Sequence, residues 1–273
     1  MLRKIRSKYL IKEVIEYLNI SHKMKLVKYS KQFQFILNLS KSDYKEYSQI
    51  IIELILETDN DFLSEKNIFI NYISENNKHF YHIFFNNNLQ KEIYQNYYDK
   101  DEKIEKIKIY IDNNITSLKN LFVGCKTIQE VNFINFNRKN INNMSGMFQE
   151  CKNLKKITFN KFNTINVKEM NYMFYQCFQL EDLNLSNFDT KNVVDMKKMF
   201  FECRKLKKII FGPKFSIIKI KNMNYFFHNC FSLIDLDISN LIFNRNTDIN
   251  LMFNGCSKKL ISKIKNDIKN VTN

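Results

Sequence analysis

The chain has 273 residues, 44% hydrophobic and 14% aromatic, with 43 Lys+Arg against 28 Asp+Glu and a formal net charge of +15. That apolar content argues against a disordered chain, and four glycines and one proline argue against long flexible linkers. The length admits a repeat array plus one further domain.

The first stretch, MLRKIRSKYLIKEVIEYLNI, lacks the uninterrupted apolar run of a signal peptide. Nowhere does an apolar stretch reach the ~18 residues of a membrane helix. The expectation is an intracellular, cytoplasmic protein whose six cysteines stay reduced. Residues 1–104 are expected to form an all-α domain. Leu10, Ile11, Val14, Ile15 and Leu18 share one helical face, and Met24, Leu26, Val27, Phe33, Ile36 and Leu37 follow on a second helix. A third helix is predicted from Ser42 to Glu57, opened by Asp43 with Glu46 three residues later. Further helices are predicted in IFINYIS and HFYHIFFNNNLQKEIYQNYY. Lys106–Ile111 (KIKIYI) alternates apolar and polar residues and predicts the strand that opens a sheet.

From Ile115 to Cys256 one unit is written six times. The cysteines fall at 125, 151, 177, 203, 230 and 256, a period of 26 residues with one step of 27. The positions seven, four and three before each cysteine are apolar throughout, the last always phenylalanine: Phe122, Phe148, Phe174, Phe200, Phe227 and Phe253. With the cysteine they make an i, i+3, i+4, i+7 set, one face of a short helix. Downstream, Val131/Phe133, Ile157/Phe159, Leu183/Leu185, Ile209/Phe211 and Leu236/Ile238 alternate with period two and predict short strands. Neither element can bury its apolar face alone, so stacked copies must share a core, with the strands as a parallel sheet and the helices outside. Phe136, Phe162 and Phe188 should extend that core. Gly212-Pro213 accounts for the 27-residue step as a bulge or loop on the rim. After the solenoid at 105–256, residues 257–273 put Leu260, Ile264 and Ile268 on one stripe, a capping helix.

The best-preserved copy, NVKEMNYMFYQCFQLEDLNLSNFDTKN from Asn166 to Asn192, resembles the BspA-type leucine-rich repeats. The resemblance covers about Lys106 to Cys256 and implies an α/β leucine-rich-repeat solenoid that acts through protein–protein contact. Bacterial members are often surface-anchored, which implies a surface or adhesion protein as one alternative. The run YLIKEVIEYLNISHKMKLVKYSKQFQFIL, within residues 7–40, is similar to an F-box, though without its Leu-Pro opening or its tryptophan. That likeness implies a ubiquitin-ligase substrate adaptor docking the ligase core through Ile11, Val14, Ile15, Leu18 and Leu26. A plain helical cap on the solenoid is the alternative.

Charge is uneven. Residues 1–110 hold 18 Lys+Arg and 15 Asp+Glu, and residues 111–273 hold 25 and 13, so the repeats carry most of the excess. Yet five residues after each cysteine stand Glu130, Lys156, Asp182, Lys208 and Asp235, alternating in sign between neighbouring strands. Such a face stabilises its own sheet and is a poor track for phosphate, which requires one sustained sign. It suits a protein partner instead. The expected contact face comprises Glu130, Asn132, Lys156, Thr158, Asp182, Asn184, Lys208, Asp235 and Asp237. His79 and His82 form an HxxH pair with no ligand in sequence to complete a metal site. The cysteines belong to an apolar face, and no GxSxG or phosphate-binding glycine loop occurs. The expectation is therefore a non-enzymatic protein with no metal or cofactor.

Overall fold

Ile50–Leu56 (IIIELIL) is a β-strand, β1, with every second residue buried. The computed structural model describes residues 18, 23, 24, 26, 37, 39, 47–58, 63–160, 162–238, 241 and 244–264. Residues 1–49 and 50–273 form two separate units. In the first, positions 23, 24 and 26 are helical, with Met24 buried and Leu18 and Leu26 half-buried. Ile11, Val14 and Ile15 lie outside the described residues.

The second unit opens with antiparallel sheet where helices were expected. After β1 come β2 (Lys66–Ile68), a four-residue helix α1 (Glu75–Lys78), β3 (Tyr81–Phe85), β4 (Glu92–Ile93), β5 (Tyr97–Asp99) and β6 (Lys106–Ile111). The expectation of an all-α region up to residue 104 is therefore wrong over 50–104. Nearly every position of IIIELIL and YHIFF is apolar, so a helical period could be drawn through either. Their β-branched and aromatic residues fit a pleated sheet better. Asn86 and Asn87, at φ 48° and 61°, then turn the chain after β3, in the left-handed region that asparagine tolerates.

Strand β6 does not open the repeat sheet. β1 inserts between it and the first repeat strand, β7 (Ile128–Asn135), pairing antiparallel with both. Ile52 thus faces Ile109 on one side and Phe133 on the other. The first repeat strand has no bare edge. β8 (Lys156–Phe159) pairs parallel with β7 and completes a six-stranded mixed sheet in the order β4-β3-β6-β1-β7-β8. Strands β9 (Asp182–Leu185), β10 (Lys208–Phe211) and β11 (Asp235–Leu236) form a separate parallel sheet, and β2 pairs with β5. The strands expected to form one continuous parallel sheet are thus divided between two sheets.

Arg138, 4% exposed, ties the antiparallel part to the first coil. Its guanidinium donates to the carbonyl oxygens of Asp112 at 2.7 Å, Ile111 and Asn113 at 3.3 Å, and Ile115. Burial lowers its pKa from 12.5 to about 10, so it remains charged at neutral pH.

The outer segments of the coils are chains of tight turns, not helices. In the third coil, the N–H groups of Met173, Tyr175 and Cys177 donate to carbonyls three residues back. Those of Met170, Tyr172, Phe174 and Gln176 donate to the fourth coil instead. The alternation follows from left-handed backbone five residues and one residue before each cysteine: Asn120 and Gly124, Gly146 and Glu150, Tyr172 and Gln176, Lys198 and Glu202, Tyr225 and Asn229, Leu251 and Gly255. Each non-glycine there costs about 1–2 kcal/mol, offset by the hydrogen bonds passed between coils. Four-residue turns place the same i, i+3, i+4, i+7 residues inward as a helix would. Met170, Met173, Phe174 and Cys177 are fully buried. The architecture is therefore mostly sheet and turn, and the α/β leucine-rich-repeat solenoid with outer helices is corrected.

The phenylalanines three before the cysteines stack from coil to coil, Phe122 to Phe253, with centroids 5.4–5.6 Å apart and planes within 22°. Side chains close the loops between coils: Asn166 and Asn192 donate to the carbonyls of Lys139 and Ile165, and Thr190 to Ser216. Gly212 follows β10 so closely to the third coil that an added Cβ would lie 2.0 Å from the Ser186 carbonyl oxygen. At 258–264 the chain is helical, with Leu260 and Ile264 buried and the Leu260 N–H donating to Ser257 Oγ.

Candidate functional site

Strand pairing sets the charges of the repeat strands side by side. Glu130 is opposite Lys156, and Lys208 lies between Asp182 and Asp235. Nζ of Lys156 is 3.9 Å from Glu130 and Nζ of Lys208 is 2.9 Å from Asp235. One residue earlier on their coils, Lys207 pairs with Glu181 at 2.7 Å. The hydrogen bond and charge of Lys207 hold the Glu181 carboxyl below its usual range, and the bond from Lys208 does the same for Asp235. Asn132 faces Thr158 in the same register, and Asp237 follows β11. Of the nine predicted residues, Glu130, Asn132, Lys156 and Thr158 thus lie on the six-stranded sheet and Asp182, Asn184, Lys208 and Asp235 on the parallel sheet, with Asp237 just after it, and they are exposed from Lys156 onward except for half-buried Thr158.

The face is not flat. Where the six-stranded sheet ends at β8 and the parallel sheet begins at β9, a depression of about 420 Å³ opens between Lys155, Lys156, Glu181, Asp182, Asn184 and Lys208. A second, about 590 Å³, lies against Gly212-Pro213, Asp235 and Asp237. Both are lined by Lys208 and Ile210. Ile210, 41% exposed, was missed from sequence. The signal was present: seven residues after the cysteine the other coils carry Asn132, Thr158, Asn184 and Asp237, all polar.

The histidine pair separates. His82, on β3, has Nδ1 2.7 Å from Glu92 Oε1 and Nε2 3.4 Å from Asp112 Oδ2, two carboxylates that sequence distance had concealed. His79 packs on Phe80 instead. Among the described residues no group of three or more His, Cys, Asp or Glu is disposed to hold a metal ion. All six cysteines are free, and five are buried. Burial pushes every thiol upward in pKa, Cys256 to about 11, which suppresses the nucleophilic thiolate. No described helix is long and apolar enough to cross a membrane.

Fold and face together define a class: a short stack of sheet-and-turn repeats closed at one end by an antiparallel sheet and presenting a charge-banded face. The family model described as "Mycoplasma protein of unknown function, DUF285" matches residues 87–209, 116–234 and 159–270, and the chain belongs to that family. The three matches overlap along the repeat region. No BspA-type or leucine-rich-repeat model and no F-box model matches, so both resemblances read from the sequence are corrected. Methionine, phenylalanine and cysteine at fixed spacing suit the turn-built coils of this chain. The ligase-adaptor reading thereby loses the resemblance that implied it. No curated protein and no solved structure matches the chain.

Proposed function

We propose that the protein is a non-enzymatic binding module whose repeat sheet face holds an extended segment of a protein partner. The carrying observation is the pair of depressions joined at Lys208 and Ile210 and bordered by charges of alternating sign. Such a face recognises an ordered sequence of charges around one apolar contact, giving specificity through complementarity more than through raw affinity. A nucleic acid backbone would meet a carboxylate at every second strand. Six free thiols support a reducing, intracellular setting.

The test compares proteins co-purifying with the wild-type chain, Ile210→Asp and Asp182→Lys. Proteins that bind wild type should be lost from both variants while melting temperatures stay nearly unchanged. An identical set from all three would end the reading. Protease treatment of intact cells tests the compartment, and cleavage of the chain there would place it at the surface.

A further inference from the structure

The outer face of coils three to five carries a second surface that is independent of the sheet. Five residues before the cysteine, where the backbone is left-handed, the first two coils have Asn120 and Gly146, residues suited to that conformation. The next three have Tyr172, Lys198 and Tyr225, at φ 59°, 54° and 58°. Three residues further along, Tyr175, Phe201 and His228 stack in a line, each successive pair 4.9 Å apart with planes within 11°. The Lys198 ammonium sits among them, 5.1 Å from the Phe201 centroid, 5.3 Å from Tyr225, 5.9 Å from Tyr172 and 6.0 Å from Tyr175.

Aromatic faces attract the ammonium but accept its hydrogen bonds poorly. Among the described residues no carboxylate pairs with Lys198. The nearby Glu202 is engaged by Arg204 at 2.9 Å and by Gln176. Nδ1 of His228, at the end of the stack, is buried without a hydrogen-bond partner. Residues 111–273, with 25 Lys+Arg against 13 Asp+Glu, add a long-range field that draws acidic partners. Tyrosines grouped around a charge are the composition of an interface hot spot.

We infer that Tyr172, Tyr175, Lys198, Phe201, Tyr225 and His228 form a docking site for an acidic, aromatic-containing protein segment. A carboxylate pairs with Lys198, and an apolar side chain packs on the stacked rings. The full chain is titrated with a labelled peptide of alternating glutamate and phenylalanine and with its lysine-for-glutamate counterpart. The acidic peptide should bind, and Lys198→Gln should weaken it by about tenfold or more, the loss expected when one partner of a charge pair covered by binding is removed. Tyr225→Gly, which relieves the left-handed strain while removing a ring, should keep its melting temperature and still bind weakly. Asp182→Lys on the sheet face should bind as wild type. Equal binding by Lys198→Gln, preference for the basic peptide, or tighter Lys198-dependent binding of a single-stranded oligonucleotide or phosphatidylserine vesicles would each overturn the assignment.

Discussion

The Sγ of Cys177 donates to the carbonyl oxygen of Phe148, one coil back, at 3.1 Å. The relation repeats for Cys151 and Phe122, Cys203 and Phe174, Cys230 and Phe200, and Cys256 and Phe227, at 3.0–3.1 Å. Each thiol fills apolar space and also satisfies a carbonyl, which neither alanine nor leucine could do.

Replacing that thiol should be costly in either direction. Cys177→Ser buries a hydroxyl whose shorter C–O bond reaches the Phe148 carbonyl less well, and should lose about 1–3 kcal/mol. Cys177→Ala leaves a small cavity and a carbonyl short of one partner, and should lose about as much. Denaturant melts measure both, and an unchanged midpoint would show that the thiol contact contributes nothing.

Thiol reactivity should follow burial. Cys256 is only partly covered, and burial raises it to about 11, below the other five thiols. Native chain alkylated at pH 8 and digested should show Cys256 modified first, with Cys151 and Cys177 modified only after unfolding.

The same shifts set an alkaline limit on stability. Every thiol is raised above its ordinary 9.0 when folded, and Tyr81 is raised by burial from 10.0 to about 12. Above pH 9 the unfolded chain releases protons that the folded chain keeps, so stability present below pH 9 falls as pH rises toward 11 and 12. Arg138, lowered to about 10, acts oppositely but only above that pH. Melting temperature should therefore decline from pH 9 upward, and Cys256→Ala should make the early decline shallower.

Glycine substitutions separate strain from clash. Gly124 is left-handed at φ 70° with open space around its would-be Cβ, so Gly124→Ala should cost about 1 kcal/mol. Gly212→Ala drives a methyl into the Ser186 carbonyl and should cost about 3 kcal/mol. Glu150→Gly, at φ 59°, should raise stability by up to about 1 kcal/mol. Thermal melts give the ordering, and Gly124→Ala falling below Gly212→Ala would contradict the close approach at the fourth coil.

Phe174 tests the stacked core. It is fully buried between Phe148 and Phe200, so Phe174→Ala should destabilise by about 3–5 kcal/mol. A melting curve that does not move would place the ring outside the core.

Much of the burial pattern was legible, because side-chain spacing depends on the local chain. The cysteine period fixes which methionines and phenylalanines point inward, and alternation in KIKIYI and DLNL marks strands that are present as β6 and β9. The alternating charges could be put on one face because the repeat places them at equivalent positions in successive coils. Even the turns left a trace: three of the four glycines, Gly124, Gly146 and Gly255, stand at the left-handed positions. Tyr172, Gln176 and Lys198 hid the pattern in the coils where such residues carry no turn signal.

What only the tertiary structure decided rests on partners distant in sequence. Apolar residues at i, i+3, i+4 and i+7 serve a helix and a chain of four-residue turns equally well. Here the turns prevail because N–H groups such as those of Tyr172 and Phe174 find carbonyls in the next coil. The same holds for β1, whose strand state depends on β6 and β7, more than fifty residues further along the chain. His82 likewise meets Glu92 and Asp112 only when β3, β4 and β6 assemble. The sequence by itself determined the period and the inward-facing side chains. The backbone hydrogen bonds between coils decided what conformation carries them, because left-handed turns and paired strands are stable only when a neighbouring segment accepts their donors.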